Sequence, residues 1–211
     1  MKGFLIFIFG IFATFSLALV GVVAVPRAQL VNLQPQVDED NPTDVYPVNT
    51  GGVSDQGRQV FVANGCIACH SQQVRGPGSI DIARGWGTRR TVALDYLYGQ
   101  PIRLGTMRNG PDLTNIGTRQ SSAEWHYLHL YNPRTVTPGS IMPPFHFLFQ
   151  VRKISGERAS DALYLSGSDM PPDGYEVIPT PEAKALVGYL LSLDKSHPLK
   201  EAKASREGSA K

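Results

Sequence analysis

Cysteine is scarce in this chain. Two cysteines in 211 residues leave no second pair to complete a zinc site. If both are committed to one group, no thiol remains for a disulfide, even in the oxidising compartment such usage fits. An excess of one charge is also missing. Twenty Lys and Arg against eighteen Asp and Glu give a formal net charge of +2, close to neutral, which gives no reason to expect nucleic acid as a partner. Residues 3 to 25 contain no charge at all, and residues 30 to 53 lack a sustained hydrophobic period.

The two cysteines that are present stand together, in Gly65-Cys66-Ile67-Ala68-Cys69-His70. This is the attachment pattern of c-type haem. Two thiols a short turn apart can each add to one vinyl group of the macrocycle, and the side chain behind the second thiol is then carried under the iron. The expectation is therefore one covalently bound haem c, with Cys66 and Cys69 as thioether anchors and His70 as proximal ligand. A redox dithiol of the thioredoxin kind fits less well, because no strand precedes the motif.

The uncharged run of residues 3 to 25 would span about 34 Å as a helix, enough to cross a bilayer. A cleaved secretory signal is the rival reading, since Lys2 precedes the run and small residues occupy Ala24 to Ala28. The apolar stretch is longer than a signal core, so an uncleaved single-pass anchor in membrane lipid is expected. Lys2 and Arg27 flank it almost evenly, and the positive-inside rule barely decides its direction. Covalent haem attachment implies the periplasmic side of a bacterial inner membrane. The expected organisation is an anchor over 1–29, an extended tether over 30–53, a haem domain over 54–194 and a polar basic tail over 195–211. An acidic group in the tether, Asp38, Glu39, Asp40 and Asp44, reads as a solvated linker or as a face for a basic partner.

Within the domain, Ser54 or Asp55 can cap a helix that runs to Asn64 and stops at Gly65. Thr180-Pro181-Glu182 opens a last helix reaching about Leu193, with Leu186, Tyr189, Leu190 and Leu193 on one stripe. In c-type cytochromes the first and last helices cross beside the haem, and Gly57 or Phe61 against Tyr189 could supply that crossing. With Gly 21 and Pro 16 the rest is loop-rich. The fold class expected is mostly α: one N-terminal transmembrane helix plus a small loop-rich class I cytochrome c domain.

The stretch 75 to 112 is net basic, and an arginine fork meets a carboxylate bidentately, so one or two arginines are expected to neutralise haem propionates. Arg75 and, further along, Arg134 are the candidates. Gly110-Pro111-Asp112-Leu113 reads as a turn leading to Leu113 and Ile116 in the haem wall. Ser121 or Ser122 starts a short helix carrying Trp125, His126 and His129. The two histidines share a face at i and i+3 and invite a metal reading, although polar packing explains them as simply. For the sixth iron position Met107, Met142 and Met170 are available. Met142 and Met170 each precede Pro-Pro. Met170 has the better spacing before the last helix and Met142 the more apolar surroundings, so residue chemistry alone leaves them even.

Cys66-Ile-Ala-Cys-His70-Ser-Gln, Gly110-Pro-Asp-Leu-Thr-Asn-Ile-Gly117, Trp125-His126, His129-Leu-Tyr-Asn-Pro-Arg134 and Ser140-Ile-Met-Pro143, behind one N-terminal anchor, resemble the mono-haem cytochrome c subunit (FixO-like, subunit II) of cbb-type haem-copper oxidases. The resemblance covers most of the chain and departs from it at 76–109, 146–179 and the tail. It implies that Met142 is the distal ligand. It also implies electron relay from other cytochrome c subunits or a soluble cytochrome c to a large membrane-embedded subunit with haems b and copper, where oxygen is reduced. The chain would then belong to an oxidase while holding no catalytic residue of its own. The cytochrome subunit of a nitric oxide reductase shares anchor and haem, though it should lack the block from His129 to Arg134. A haem-based sensor would need an open distal site.

Overall fold

A computed structural model describes residues 2–38, 41–76, 78–99 and 101–204, so Glu39, Asp40 and the tail beyond 204 lie outside the described residues. The chain divides into two units, residues 1–48 with 92–100, and residues 49–91 with 101–211.

The first unit opens with one helix long and apolar enough to cross a membrane, Gly3–Leu30, a run of 28 residues. Its first part is α1 (Lys2–Leu19) and its last α2 (Val25–Leu30), joined through a π-helical turn at Val20–Ala24. Pro26 explains the wide turn, because it has no N–H to give the preceding carbonyls and its ring crowds them. At about 1.5 Å per residue the helix is about 42 Å long. Its apolar side chains are exposed, a surface suited to lipid.

The segment expected to be an extended tether is partly folded. β1 (Gln36–Val37) pairs antiparallel with β2 (Val45–Tyr46). The turn between them is fixed by Asp38 and Asn41, whose side chains accept from the backbone of Asn41 and the hydroxyl of Thr43. Tyr46 is buried and donates its hydroxyl to Asp95 at 2.6 Å. Asp95 also accepts from the Val92 N–H at 2.8 Å, closing a 3-10 turn over Ala93–Tyr96 around the buried Leu94. Nothing local in residues 30–53 foretells a partner 49 positions away.

The second unit is built on a helix crossing. α3 (Val53–Ala63) starts a residue or two ahead of the expected cap, with Gly52 at its N-terminus and Asp55 in its first turn. α7 (Pro181–Ser192) begins as its sequence predicts, Thr180 accepting from the Ala183 N–H. Gly57 is where the two helices meet. A Cβ there would stand 1.9 Å from the Ala185 carbonyl oxygen and 2.6 Å from Tyr189 Cβ, so only a hydrogen fits. Phe61 packs edge-on to Tyr189 at 5.7 Å. Gly57→Ala should therefore force the helices apart and cost about 3 kcal/mol, the upper range for overpacking. An unchanged thermal midpoint of the haem-loaded protein would refute this.

Around the crossing lie α4 (Ile116–Arg119), α5 (Ala123–Tyr131) and α6 (Pro133–Val136). Leu130, Leu148, Val177, Leu186 and Leu190 fill the core between them. Two features depart from the expected organisation. β3 (Phe149–Lys153) pairs antiparallel with β4 (Tyr175–Pro179), Val151 opposite Val177, within a region read only as differing from the family pattern. Glu176 secures it, buried and accepting from Arg152 Nε and the Ala159 N–H, each at 2.8 Å. The start of the basic tail also folds back. Arg89 donates to the His197 carbonyl at 2.7 Å, Arg90 to that of Glu201 at 3.0 Å, and Leu199 and Ala202 are buried.

Candidate functional site

α3 ends at Asn64, and Gly65 turns the chain with φ 70°, a value glycine adopts without penalty. A 3-10 turn over Cys66–Ala68 follows, with the His70 N–H on the Cys66 carbonyl at 3.0 Å. Both thiols are free, Cys66 half-buried and Cys69 exposed. Burial pushes the Cys66 thiol up to about 11, the opposite of the depressed value a redox dithiol requires.

The segment 104–113 runs alongside this motif and grips it through the backbone. Gln72 N–H donates to the Leu104 carbonyl, Gly110 N–H to that of Cys69, and Leu113 N–H to that of Ser71. The His70 ring lies against Gly110, where a Cβ would come within 2.3 Å of Cε1. Its Nδ1–H donates to the Pro111 carbonyl at 2.7 Å, which fixes the tautomer and leaves the Nε2 lone pair free of the proton, the form a metal can accept. Burial lowers the His70 pKa, while the Pro111 hydrogen bond and Asp112 pull it back. The neutral form, the one that ligates, is thus favoured. From the other side the Tyr189 hydroxyl donates to Gln72 at 2.9 Å, tying the last helix to the motif.

Met142 is half-buried and packs against the same hydrophobic core that Cys66, Ile67 and Leu113 edge. The stretch leading to it explains its own residues. Ser122 caps α5 by accepting from Trp125, Leu130 enters the core, Asn132 caps α6 by accepting from Arg134, and Pro133 takes its first position. Phe145 N–H then returns to the Leu130 carbonyl at 2.8 Å. Met107 and Met170 are 52% and 60% exposed, so Met142 is the methionine among them that shares an apolar wall with the cysteine motif.

The remaining candidates are dispersed. Arg75 turns its fork to Asp81, with Nε at 3.1 Å and a terminal nitrogen at 2.9 Å. Arg134 is exposed in the first turn of α6. His126 is buried with Nε2 on the Gln120 carbonyl and its ring edge-on to Trp125, while His129 stacks on the same Trp125 at 4.6 Å; among the described residues no group of three or more His, Cys, Asp or Glu gathers to hold a metal ion. Sequence reasoning passed over Asp81, which the structure makes the centre of an ion cluster. It has no exposed surface and accepts from both Arg75 and Arg108. Burial pushes its carboxyl up, but the arginine hydrogen bonds outweigh burial and hold it at about 2, against an ordinary value of 3.8. A depressed carboxylate stabilises the fold fully above its unfolded value and loses that contribution as pH falls through the folded one. The stability difference between wild type and Asp81→Asn should therefore be constant above about pH 4 and shrink toward about pH 2. Denaturant midpoints measured across that interval check it; a constant difference throughout would contradict the assignment.

The family described as cytochrome c oxidase, mono-heme subunit/FixO, matches residues 9–167. The chain belongs to this family, and so is a subunit of an oxidoreductase complex whose description implies one haem and association with other oxidase subunits. No curated protein matches the chain. The side chains fit that haem: two uncommitted thiols one turn apart, a histidine with its tautomer fixed, and a glycine where any Cβ would collide with the imidazole.

Proposed function

We propose that this chain is a membrane-anchored mono-haem c-type cytochrome that relays electrons to the haem b-containing subunit of an oxygen-reducing terminal oxidase. Cys66 and Cys69 would hold the haem c through thioethers, His70 Nε2 would be its proximal iron ligand and Met142 the distal one. The haem, when bound, supplies a one-electron ferric/ferrous couple. The observation that carries the reading is the His70 imidazole fixed by Pro111 and seated on Gly110 immediately behind two free thiols. The protein's own part is to hold two axial ligands on a stiff frame, so that little rearranges when the electron moves. The family match supports the oxidase as destination, the helix Gly3–Leu30 supports a single-pass anchor, and covalent haem attachment would put the domain on the periplasmic side. Of the two propionate candidates, Arg134 is exposed and Arg75 is half-exposed with its Nε and one terminal nitrogen on Asp81, which leaves the other terminal nitrogen to donate elsewhere.

Cleavage at a protease site introduced near Gly51 tests the relay. It should release a red domain that ascorbate still reduces, while oxygen consumption by the membranes stops. Undiminished oxygen uptake after release would sink the proposal. Membranes that instead consume nitric oxide would favour the reductase alternative.

A further inference from the structure

Three side chains outside the ligand set bind the segment carrying His70 to the segment carrying Pro111. Asp112 follows Pro111 directly and has no exposed surface. Its Oδ2 accepts from the Ser71 hydroxyl at 2.6 Å and from the Gln73 N–H at 2.8 Å, and its Oδ1 accepts from the Thr114 N–H at 2.8 Å. Ser71 is the residue after His70. Arg108 completes the link, donating from Nε to the Ser71 hydroxyl at 2.8 Å and from one terminal nitrogen to both oxygens of Asp81, at 2.7 and 2.9 Å. Its other terminal nitrogen donates to the Gln73 carbonyl and stands 3.8 Å from Asp112 Oδ2. Ser71 thus gives its one proton to Asp112 and accepts one from Arg108. Asp81, itself fully buried, fixes the far end of the fork. These bonds, centred on the buried carboxylates of Asp112 and Asp81, resist retreat of the Pro111 carbonyl from His70.

We infer that Asp112, Ser71 and Arg108 are positioning residues that hold the Pro111 carbonyl against His70 Nδ1–H and thereby set the reduction potential of the site. The inference rests on His70 being the proximal ligand, as proposed above. An acceptor at Nδ1 makes the imidazole a more basic ligand, and a more basic ligand favours the ferric state. Slackening the network weakens that bond and raises the potential.

Sign separates positioning from plain charge. Removing a buried negative charge should by electrostatics alone raise the potential, and removing a positive charge should lower it. Positioning requires both changes to raise it. The test uses the full-length, haem-loaded protein and reads the midpoint potential together with solvent exchange of the His70 Nδ1 proton by NMR. Asp112→Asn, Arg108→Gln and Ser71→Ala should all shift the potential upward and speed exchange about tenfold, the loss of roughly one hydrogen bond. Arg108→Lys keeps the charge without the fork and should behave like Arg108→Gln. A downward shift in Arg108→Gln beside an upward one in Asp112→Asn overturns the inference in favour of simple charge, and unchanged proton exchange overturns it equally. If Asp112→Asn fails to accumulate, Ser71→Ala decides, since it alters no charge and removes a single hydroxyl. A wild type with no haem on His70 would overturn the proposed function and this inference together; opposite-signed shifts in a properly ligated protein overturn the inference alone.

Discussion

Replacing Cys66 or Cys69 by alanine should remove most of the haem-stained band seen on denaturing gels and lower the accumulated holo-protein several-fold or more. On the proposed attachment each substitution would delete one thioether, and the deficit would reach the fold as well as the cofactor. Cys66 and Ile67 edge the core that α3 and α7 build, beside Leu113, Met142 and Phe145, and these half-covered apolar groups are the wall a macrocycle would complete. Apolar area left in water forfeits about 25 cal/mol per Å², and a loss of only 1–2 kcal/mol already changes cellular abundance several-fold. Cys66→Ala should be the more damaging of the two, since Cys69 is exposed while Cys66 is packed. The decisive control is the wild type. If it carries no haem band after denaturation, covalent attachment is wrong.

Met142→Ala should open the iron to carbon monoxide, abolish the near-infrared band of ferric Met-His haem and destabilise the domain by about 2 kcal/mol, the low end for truncating a packed methionine. Met142→His should keep six ligands while lowering the potential, because a thioether favours ferrous iron more than an imidazole does. Met170→Ala should change none of these. Met170 is 60% exposed at the end of a 3-10 turn over Gly167–Asp169, where surface truncations fall within about 0.5 kcal/mol. A band that survives Met142→Ala and disappears in Met170→Ala would reverse the assignment.

The potential of such a site is set by more than its two axial atoms. The Pro111 carbonyl accepts from His70 Nδ1–H, and the cluster of Arg108 with the buried Asp112 and Asp81 keeps Pro111 in place. The arginine-rich stretch that looked like a surface for propionates or partners therefore spends at least Arg75 and Arg108 internally. Arg89 and Arg90 are likewise turned to backbone carbonyls of the C-terminal segment. An arginine count in such a loop says little about partners until the carboxylates and carbonyls around it are placed.

By itself the sequence determined the long apolar N-terminal helix, the cysteine-histidine motif, the stop at Gly65 and the cap at Thr180. Each of these is written in residues a turn or so apart, or in a stripe of helical period, and the physics that creates them acts over the same short range. Only the tertiary structure decided what depends on distant partners. β3 finds β4 across a connection with no repeating period, and Arg152 reaches Glu176 from 24 positions away. Tyr46 needs Asp95, and the tail needs Arg89 from 108 positions away. Met142 and Met170, even on residue chemistry, differ in burial once the chain is folded: one side chain lies against the core that the haem motif edges and the other stands in solvent. Local spacing can supply a candidate's chemical type, but the apolar area each copy of that type buries is known only once the chain has closed.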